Sequence, residues 1–161
     1  HPGTPRLFAD HFPTPSGRAR FHAVRHQPPA EDRDEEYPLY LTTGRVLAHY
    51  QSGTQTRRVA RLKDAMPEPF AEMHPATARQ ARLSSGELVT LTTRRGSATF
   101  RLRVTATIRE DTVFVPFHWG GDQSANRLTN PALDPTSKMP EFKVCAVRVE
   151  PRNLEDEGRP S

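Results

Sequence analysis

The 161 residues suffice for one domain, and a hydrophobic fraction of 34% can bury a core of ordinary size. The single cysteine excludes an internal disulfide and any cysteine-based metal or iron–sulfur cage built by this chain alone. The sequence shows no run of 18 apolar residues and no signal-peptide pattern, so it supports neither a membrane span nor export. We therefore expect a cytoplasmic location, with the periplasm as the alternative.

The formal net charge of +4 is unevenly distributed along the chain. Acidic residues cluster at 31–36 and 155–157, whereas residues 37–150 hold 16 Lys/Arg and 10 Asp/Glu. The resulting excess of positive charge would attract an anionic partner. A nucleic acid, a phosphorylated cofactor and an acidic protein surface all satisfy this requirement.

Composition divides the chain into three parts. Residues 1–36 contain six prolines and an acidic run but little apolar periodicity, so we expect a leader or linker ahead of the organised part. Residues 37–150 carry the organised domain, and residues 151–161 form a polar tail.

Short β-prone runs dominate the organised part. Six strands are predicted, at residues 37–44, 70–74, 87–93, 97–105, 112–116 and 144–149. The run 97–105 alternates clearly between apolar and polar side chains. The fold class predicted is therefore mainly β with short helices, as a single-domain β-barrel.

One helix and one hairpin stand out between these strands. Residues 75–83 predict a short helix with proline in its first turn and Gly86 just past its end. The turn Arg94-Arg95-Gly96 predicts a hairpin in which glycine supplies a positive φ.

Two long stretches fit neither strand nor helix, and long ordered loops often carry function. The first loop, residues 42–58, contains glycines and hydroxyl side chains, and five Lys/Arg with no acid occur from 45 to 63. This mixture suits a pyrophosphate-bearing ligand, although a basic surface loop has the same composition. No Walker or Rossmann fingerprint is present.

The second loop, residues 117–143, contains the only tryptophan, two asparagines and several turn dipeptides. Asparagine can donate and accept hydrogen bonds, so it can recognise a heterocycle edge or a ribose. A well-capped crossover loop with a purely structural role would have the same composition.

The sequence offers no convincing catalytic set. His49 and His118 lack a short metal-ligand spacing, and no carboxylate pair indicates hydrolase chemistry. Cys145 shares its strand face with Val147 and Val149, so we expect a buried apolar cysteine. We predict neither catalytic residues nor a metal site in this chain.

Several motifs together resemble a known family. The segment Leu41-Thr-Thr-Gly-Arg-Val-Leu-Ala-His-Tyr-Gln-Ser-Gly-Thr-Gln-Thr-Arg-Arg58 resembles the opening of the molybdopterin-dinucleotide-binding domain of the DMSO reductase superfamily. Four downstream runs are similar to the closing half of the same domain: Val115-Pro-Phe-His-Trp-Gly, Ala125-Asn-Arg-Leu-Thr, Asp134-Pro-Thr-Ser-Lys and Pro140-Glu-Phe-Lys-Val-Cys-Ala-Val147. The resemblance covers residues 14–150, with the motifs in order.

This resemblance implies a double-psi β-barrel that binds molybdopterin guanine dinucleotide (MGD), of which the complete enzymes carry two with molybdenum. The resemblance also implies that the chain does not bind nucleic acid. Carried over residue by residue, the cofactor-binding positions are Thr43, Gly44, Arg45, Val46, Leu47, Ala48, His49, Tyr50, Gln51, Ser52, Phe117, Asn126 and Lys143.

Within the superfamily the chain most resembles assimilatory or periplasmic nitrate reductases. Formate dehydrogenases share the Thr-Gly-Arg-Val and Gly-Thr-x-Thr-Arg-Arg features. The resemblance further implies an iron–sulfur cluster in a missing N-terminal part. The remaining domains of the parent enzyme and a redox protein are the implied partners, and the chain alone would not be catalytic. The alternative from another class is a basic β-barrel that binds nucleic acid or an acidic protein.

Overall fold

The computed structural model describes Gly3 and residues 5–152, and the regular structure in this part is mainly β. The strands are β1 (Leu39–Gly44), β2 (Phe70–Met73), β3 (Leu88–Thr93), β4 (Gly96–Val104), β5 (Thr112–Pro116) and β6 (Cys145–Pro151). Two short α-helices, α1 (Ala60–Ala65) and α2 (Pro75–Gln80), lie between strands. The six predicted strands are confirmed, with ends that differ by at most two residues.

The six strands close into a barrel in the order β1-β5-β2-β4-β3-β6. The pairs β1–β5 and β2–β4 are parallel, and the other four pairs are antiparallel. The predicted fold class, a β-barrel with few short helices, is confirmed.

The parallel pairing of β1 with β5 decides where the functional loops lie. Gly44, the last residue of β1, is in register with Pro116, the last residue of β5. Parallel neighbours leave a sheet at the same edge. The first loop follows β1 and the second loop follows β5, so both begin side by side at one end of the barrel.

Strand β4 shows why the sequence folds as a barrel. Ala98, Phe100 and Leu102 are buried, whereas Arg101 and Arg103, which point to the opposite face of the strand, are exposed. Burying one such large apolar side chain stabilises the fold by roughly 1.5–3 kcal/mol. The predicted alternation of this strand is confirmed.

Helix α2 ends earlier than the sequence predicts. Its last residue is Gln80, because Arg82 adopts a left-handed φ of 56°. The amides of Arg82 and Leu83 donate to the carbonyls of Arg79 at 3.1 Å and Ala78 at 2.8 Å. These bonds form a Schellman motif with arginine in the position that glycine usually holds. Gly86 therefore does not end the helix.

The hairpin between β3 and β4 is confirmed, but the predicted role of its glycine is wrong. Thr93 pairs with Gly96 across the two-residue turn, and Gly96 is absent from the described residues with positive φ. A Cβ atom at Gly96 would lie 3.2 Å from the Arg127 carbonyl oxygen. Glycine here accommodates the close approach of the second loop.

The segment before the barrel has no helix or strand in residues 5–38. Phe21 and Val24 are 97% and 88% exposed, whereas Tyr37 is 8% exposed against the barrel. Glu31 and Asp34 contact the β3–β4 turn through Arg94 and Arg95. The division at residue 36 stays a prediction, and part of the acidic run lies on the barrel. No helix in the described part of the chain is long and apolar enough to cross a membrane.

Candidate functional site

The two loops converge on one groove at the end of the barrel where β1 and β5 finish. The groove has a volume of about 760 Å³. It is lined by Thr43, Gly44, Arg45, Gln51, Ser52, Phe117, Ala125, Asn126, Thr129, Phe142 and Lys143. Eight of the thirteen predicted site residues are in this set, so positions up to 100 residues apart in sequence meet in one cavity.

Positive charge concentrates on one wall of the groove. The Arg45 guanidinium carbon lies 5.7 Å from the centre of the Phe117 ring, and Lys143 Nζ lies 5.8 Å from it. Among the described residues, neither cation has a carboxylate within ion-pair distance. Burial, and then the charge of Arg45, hold the pKa of the Lys143 ammonium below its ordinary value. An anionic ligand would relieve this repulsion.

Backbone contacts join the stems of the two loops beneath the groove. The Phe117 amide donates to the Gly44 carbonyl at 3.2 Å. The Thr43 hydroxyl donates to the Phe142 carbonyl at 3.3 Å, and the Lys143 ammonium donates to the Thr43 carbonyl. The floor of the groove is therefore built from both loops.

Gly44 is required by packing rather than by its backbone angle. A Cβ atom there would lie 2.5 Å from Cε2 of Phe114, a separation that real Cβ atoms essentially never show. Because Gly44 has no side chain, β1 can pack directly against the Phe114 ring. The Gly44 carbonyl is then placed to accept the hydrogen bond from the second loop.

His118, in the second loop, connects the two loops through hydrogen bonds to the backbone of the first loop. Its ring is fully buried, and Nε2 accepts a hydrogen bond from the Val46 amide at 2.9 Å. Nδ1 faces the Gln51 carbonyl, which can only accept, so Nδ1 carries the proton. The neutral ring thus holds two points of the first loop, five residues apart.

Gly53 lies where the first loop passes over the backbone of His118. Its φ is +73°, and an added Cβ would lie 2.6 Å from the His118 carbonyl oxygen. Both the left-handed angle and the close approach require glycine. The two loops are therefore in direct backbone contact as well as hydrogen-bonded.

A second histidine packs beneath the first loop. Nε2 of His49 donates to the Met66 carbonyl at 2.8 Å, and Nδ1 accepts from the Thr56 hydroxyl at 3.0 Å. The Trp119 ring meets His49 edge-on, with ring centres 5.0 Å apart. His49 is 5% exposed, and its partners lie in the first loop, in the second loop and at Met66, so its contacts here are with the protein interior.

Five predicted site residues, 46–50, lie outside the lining of the groove. Val46 contributes its amide to His118, and His49 is buried. Leu47 and Tyr50 extend into solvent, at 107% and 67% exposure. Contact of these residues and of Ala48 with a ligand stays a prediction.

Asn126 lies on a 3-10 turn, Ala125–Arg127, that the Ser124 hydroxyl caps by accepting from the Asn126 amide at 3.3 Å. Arg127 fixes the turn through Asp122 at 2.9 Å and the Ser97 carbonyl at 3.2 Å. Within residues 5–152, no hydrogen bond of the Asn126 carboxamide is found, so it can serve a ligand in the groove.

Sequence reasoning did not assign Ala125, Thr129 and Phe142 to the groove, nor His118 to its support. Each lies inside a motif that carries the family resemblance, so the motifs were the available signal. Among the described residues, no group of three or more His, Cys, Asp or Glu side chains could hold a metal ion. Cys145 is buried, as predicted.

Comparison with known proteins agrees with this geometry. A family model described as "Molydopterin dinucleotide binding domain" matches residues 39–146. The assimilatory nitrate reductase catalytic subunit of Bacillus subtilis is 48% identical over 153 residues, covering 94% of this chain and 22% of that protein. The F420-dependent formate dehydrogenase 1 subunit alpha of Methanococcus maripaludis is 43% identical over 149 residues, covering 92% and 22%.

A solved structure shows the same fold. Acetylene hydratase from Pelobacter acetylenicus matches with a TM-score of 0.71 at 23% identity, covering 80% of this chain and 21% of that one. The chain spans about a fifth of the length of the curated relatives it matches. The predicted family resemblance is confirmed: the chain belongs to the molydopterin dinucleotide binding domain family.

Proposed function

We propose that the groove binds MGD, and that the chain acts as the cofactor-binding domain of a molybdenum oxidoreductase whose substrate is nitrate. The observation that carries the proposal is the groove itself. Eight residues expected to contact the cofactor line one cavity, and its two cations have no carboxylate partner among the described residues. The 48% identity to a nitrate reductase supports nitrate as the substrate.

The residues present fit the chemistry of this ligand. Arg45 and Lys143 would hold the anionic pyrophosphate, since charge-assisted hydrogen bonds to phosphate are among the strong ones. Thr43 and Ser52 add hydroxyl groups to the same cavity. Asn126 would pair with a polar ring edge, and the Phe117 ring offers an apolar surface.

When bound, the cofactor supplies dithiolene ligands for molybdenum and the redox chemistry by which nitrate loses an oxygen atom. This chain would bind and orient it. Thr43 and Gly44 would support it from the floor together with the second loop, His118 would hold the first loop in place, and Arg45 and Lys143 would supply positive charge. We assign no catalytic residue to the chain.

The complete enzyme would carry two MGD molecules and an iron–sulfur cluster, the latter in a part outside this sequence. The remaining domains of that enzyme and a redox protein would be its partners, in the cytoplasm. Determining the iron, molybdenum and guanine nucleotide content of the complete enzyme tests these assignments directly.

A formate dehydrogenase is the second candidate. The formate dehydrogenase relative is 43% identical over 149 residues, only slightly below the nitrate reductase. Assaying the complete enzyme with nitrate and a reduced dye, and with formate and an oxidised dye, separates the two. Turnover of formate alone would contradict the assignment of nitrate.

A nucleic-acid-binding barrel has less support. Six arginines on the barrel and its loops pair with carboxylates: Arg94, Arg95, Arg101, Arg109, Arg127 and Arg148. Arginines paired in this way contribute less to the binding of phosphates. Tight DNA binding with a steep salt dependence would favour the alternative.

A further inference from the structure

One residue of the acidic run before the barrel, Glu31, contacts residues next to a segment that lines the groove. This residue lies outside the matched family region, which begins at residue 39. Its side chain is only 12% exposed. Its carboxylate accepts hydrogen bonds from both terminal nitrogens of Arg95 and from the Ala146 amide, the last at 2.6 Å.

Arg95, the partner of Glu31, makes a further contact about twenty residues before Ala146 in the chain. It lies in the β3–β4 turn, and its guanidinium also donates to the Leu128 carbonyl at 2.9 Å. We call residues 129–145 the wall segment, because three of them line the groove. Leu128 precedes this segment and Ala146 follows it. The pair of side chains therefore holds both ends of this segment on the barrel.

Further bonds connect the same segment to the residue before Glu31. The Ala30 amide donates to Oε2 of Glu141 at 2.9 Å. Inside the segment, the Asn130 carboxamide donates to the Val144 carbonyl at 3.0 Å and the Glu141 carbonyl at 3.3 Å. Three groove-lining residues, Thr129, Phe142 and Lys143, belong to the wall segment.

We propose that Glu31 and Arg95 are a positioning pair that fixes the wall segment, so that the shape of the groove depends on a residue outside the family's matched region. The consequence for cofactor retention rests on the function proposed above. Glu31 contacts neither the groove nor its ligand. It acts through the two ends of the segment that carries Lys143.

Low exposure of both side chains distinguishes this pair from the other ion pairs in residues 5–152. The side chains of Glu31 and Arg95 are 12% and 22% exposed, whereas those of Glu36 and Arg148 are 66% and 36% exposed. The pair is partly buried, so removing Glu31 leaves the Arg95 charge poorly compensated, whereas an exposed pair contributes little. Glu36, in the same acidic run, therefore provides a matched control.

The direct test is hydrogen exchange of the full chain, compared among Glu31→Ala, Glu31→Gln and Glu36→Ala. We expect Glu31→Ala to accelerate exchange about tenfold in residues 129–146, while amides of β3 and β4 stay protected as local opening requires. Glu31→Gln keeps an acceptor for the Ala146 amide and should give an intermediate rate. Glu36→Ala should match the parent chain.

Unchanged exchange in residues 129–146 of Glu31→Ala would overturn the inference, and so would equal acceleration in Glu36→Ala. Uniform acceleration across the barrel would also overturn it, because the pair would then support the whole fold rather than the wall. Retention of MGD by Lys143→Ala, measured on the complete enzyme, decides the proposed function separately. If Lys143→Ala loses cofactor and Glu31→Ala does not, the inferred dependence of the groove on Glu31 is wrong.

Discussion

The Val46 amide donates a hydrogen bond to Nε2 of His118 at 2.9 Å, although 72 residues separate them. The same imidazole donates to the Gln51 carbonyl from its other nitrogen. One buried ring in the second loop thereby sets the path of the first loop across the end of the barrel. We therefore expect the spacing of Arg45 and Gln51 around the groove to depend on this side chain.

Replacing His118 by phenylalanine should destabilise the protein and loosen the first loop. The ring volume is nearly kept, but the Val46 amide and the Gln51 carbonyl both lose their partner. A buried polar group left unpaired costs roughly 1–3 kcal/mol, and because these two groups are only partly buried we expect a loss toward the lower end of that range. Urea denaturation of the chain measures the loss, and His118→Gln, which keeps a donor and an acceptor, should lose less. Equal stability of the parent and His118→Phe would contradict the role of the ring.

Mild acid should loosen the same loop. Burial holds the pKa of His118 below 6.5, the hydrogen bond to Gln51 opposes this shift, and the charges of His49, Arg45 and Arg57 add to it. Between this lowered pKa and the ordinary value, the unfolded chain binds more protons than the folded chain. Stability therefore falls as pH drops through the ordinary value of histidine.

Protonation of Nε2 would also remove the acceptor that holds the Val46 amide. Hydrogen exchange of residues 45–53, corrected for the intrinsic effect of pH, should accelerate on the acidic side. In His118→Gln this pH dependence should be reduced. A stability profile that is flat from neutral pH down to the carboxylate range would contradict the prediction.

The barrel could be predicted from the sequence because its strands follow a simple rule. Alternation of apolar and polar residues marks β4, and a short turn marks the hairpin before it. The strand order could not be derived in this way, since β1 pairs with β5 and β6 across most of the chain. Convergence of the two loops was expected from the family motifs and not from periodicity.

Other features depend on contacts that no local pattern shows. The Schellman motif at Arg82 uses a residue that carries no turn signal. Glu31 looks like part of a solvated acidic run, yet it bonds the Ala146 amide 115 residues away. The sequence assigns His118 no role, and only the positions of Val46 and Gln51 show that it supports the first loop.

Gly44→Ala should cost about 1–3 kcal/mol of stability, as overpacking of a tight contact does. Its Cβ would lie 2.5 Å from the Phe114 ring. Gly120→Ala is the matched control, because no atom lies within 4 Å of its added Cβ and its φ is −113°. Thermal unfolding should separate the two variants. Similar midpoints for both would show that Phe114 moves aside freely.

Asn126→Ala should weaken cofactor retention by roughly 1–3 kcal/mol if its carboxamide pairs with a polar group of the ligand. The fold should be unaffected, because that carboxamide has no hydrogen bond with the described residues. Dialysis of the complete enzyme, followed by determination of its guanine nucleotide, measures retention. Loss of stability without loss of cofactor would show that Asn126 supports the turn instead.

The most direct measurement of the central claim is the amount of MGD bound per enzyme molecule in Arg45→Ala, Lys143→Ala and the double variant. The control is Arg109→Ala, because Arg109 is 77% exposed and pairs with Asp111 outside the groove lining. If the groove holds the pyrophosphate, each single variant should retain less cofactor, the double variant least, and the loss should be greatest at low salt, where charge is least screened. Arg109→Ala should retain the amount found in the parent enzyme. Full occupancy in the double variant, at the same salt and with an intact fold, would contradict the assignment of this groove as the cofactor site.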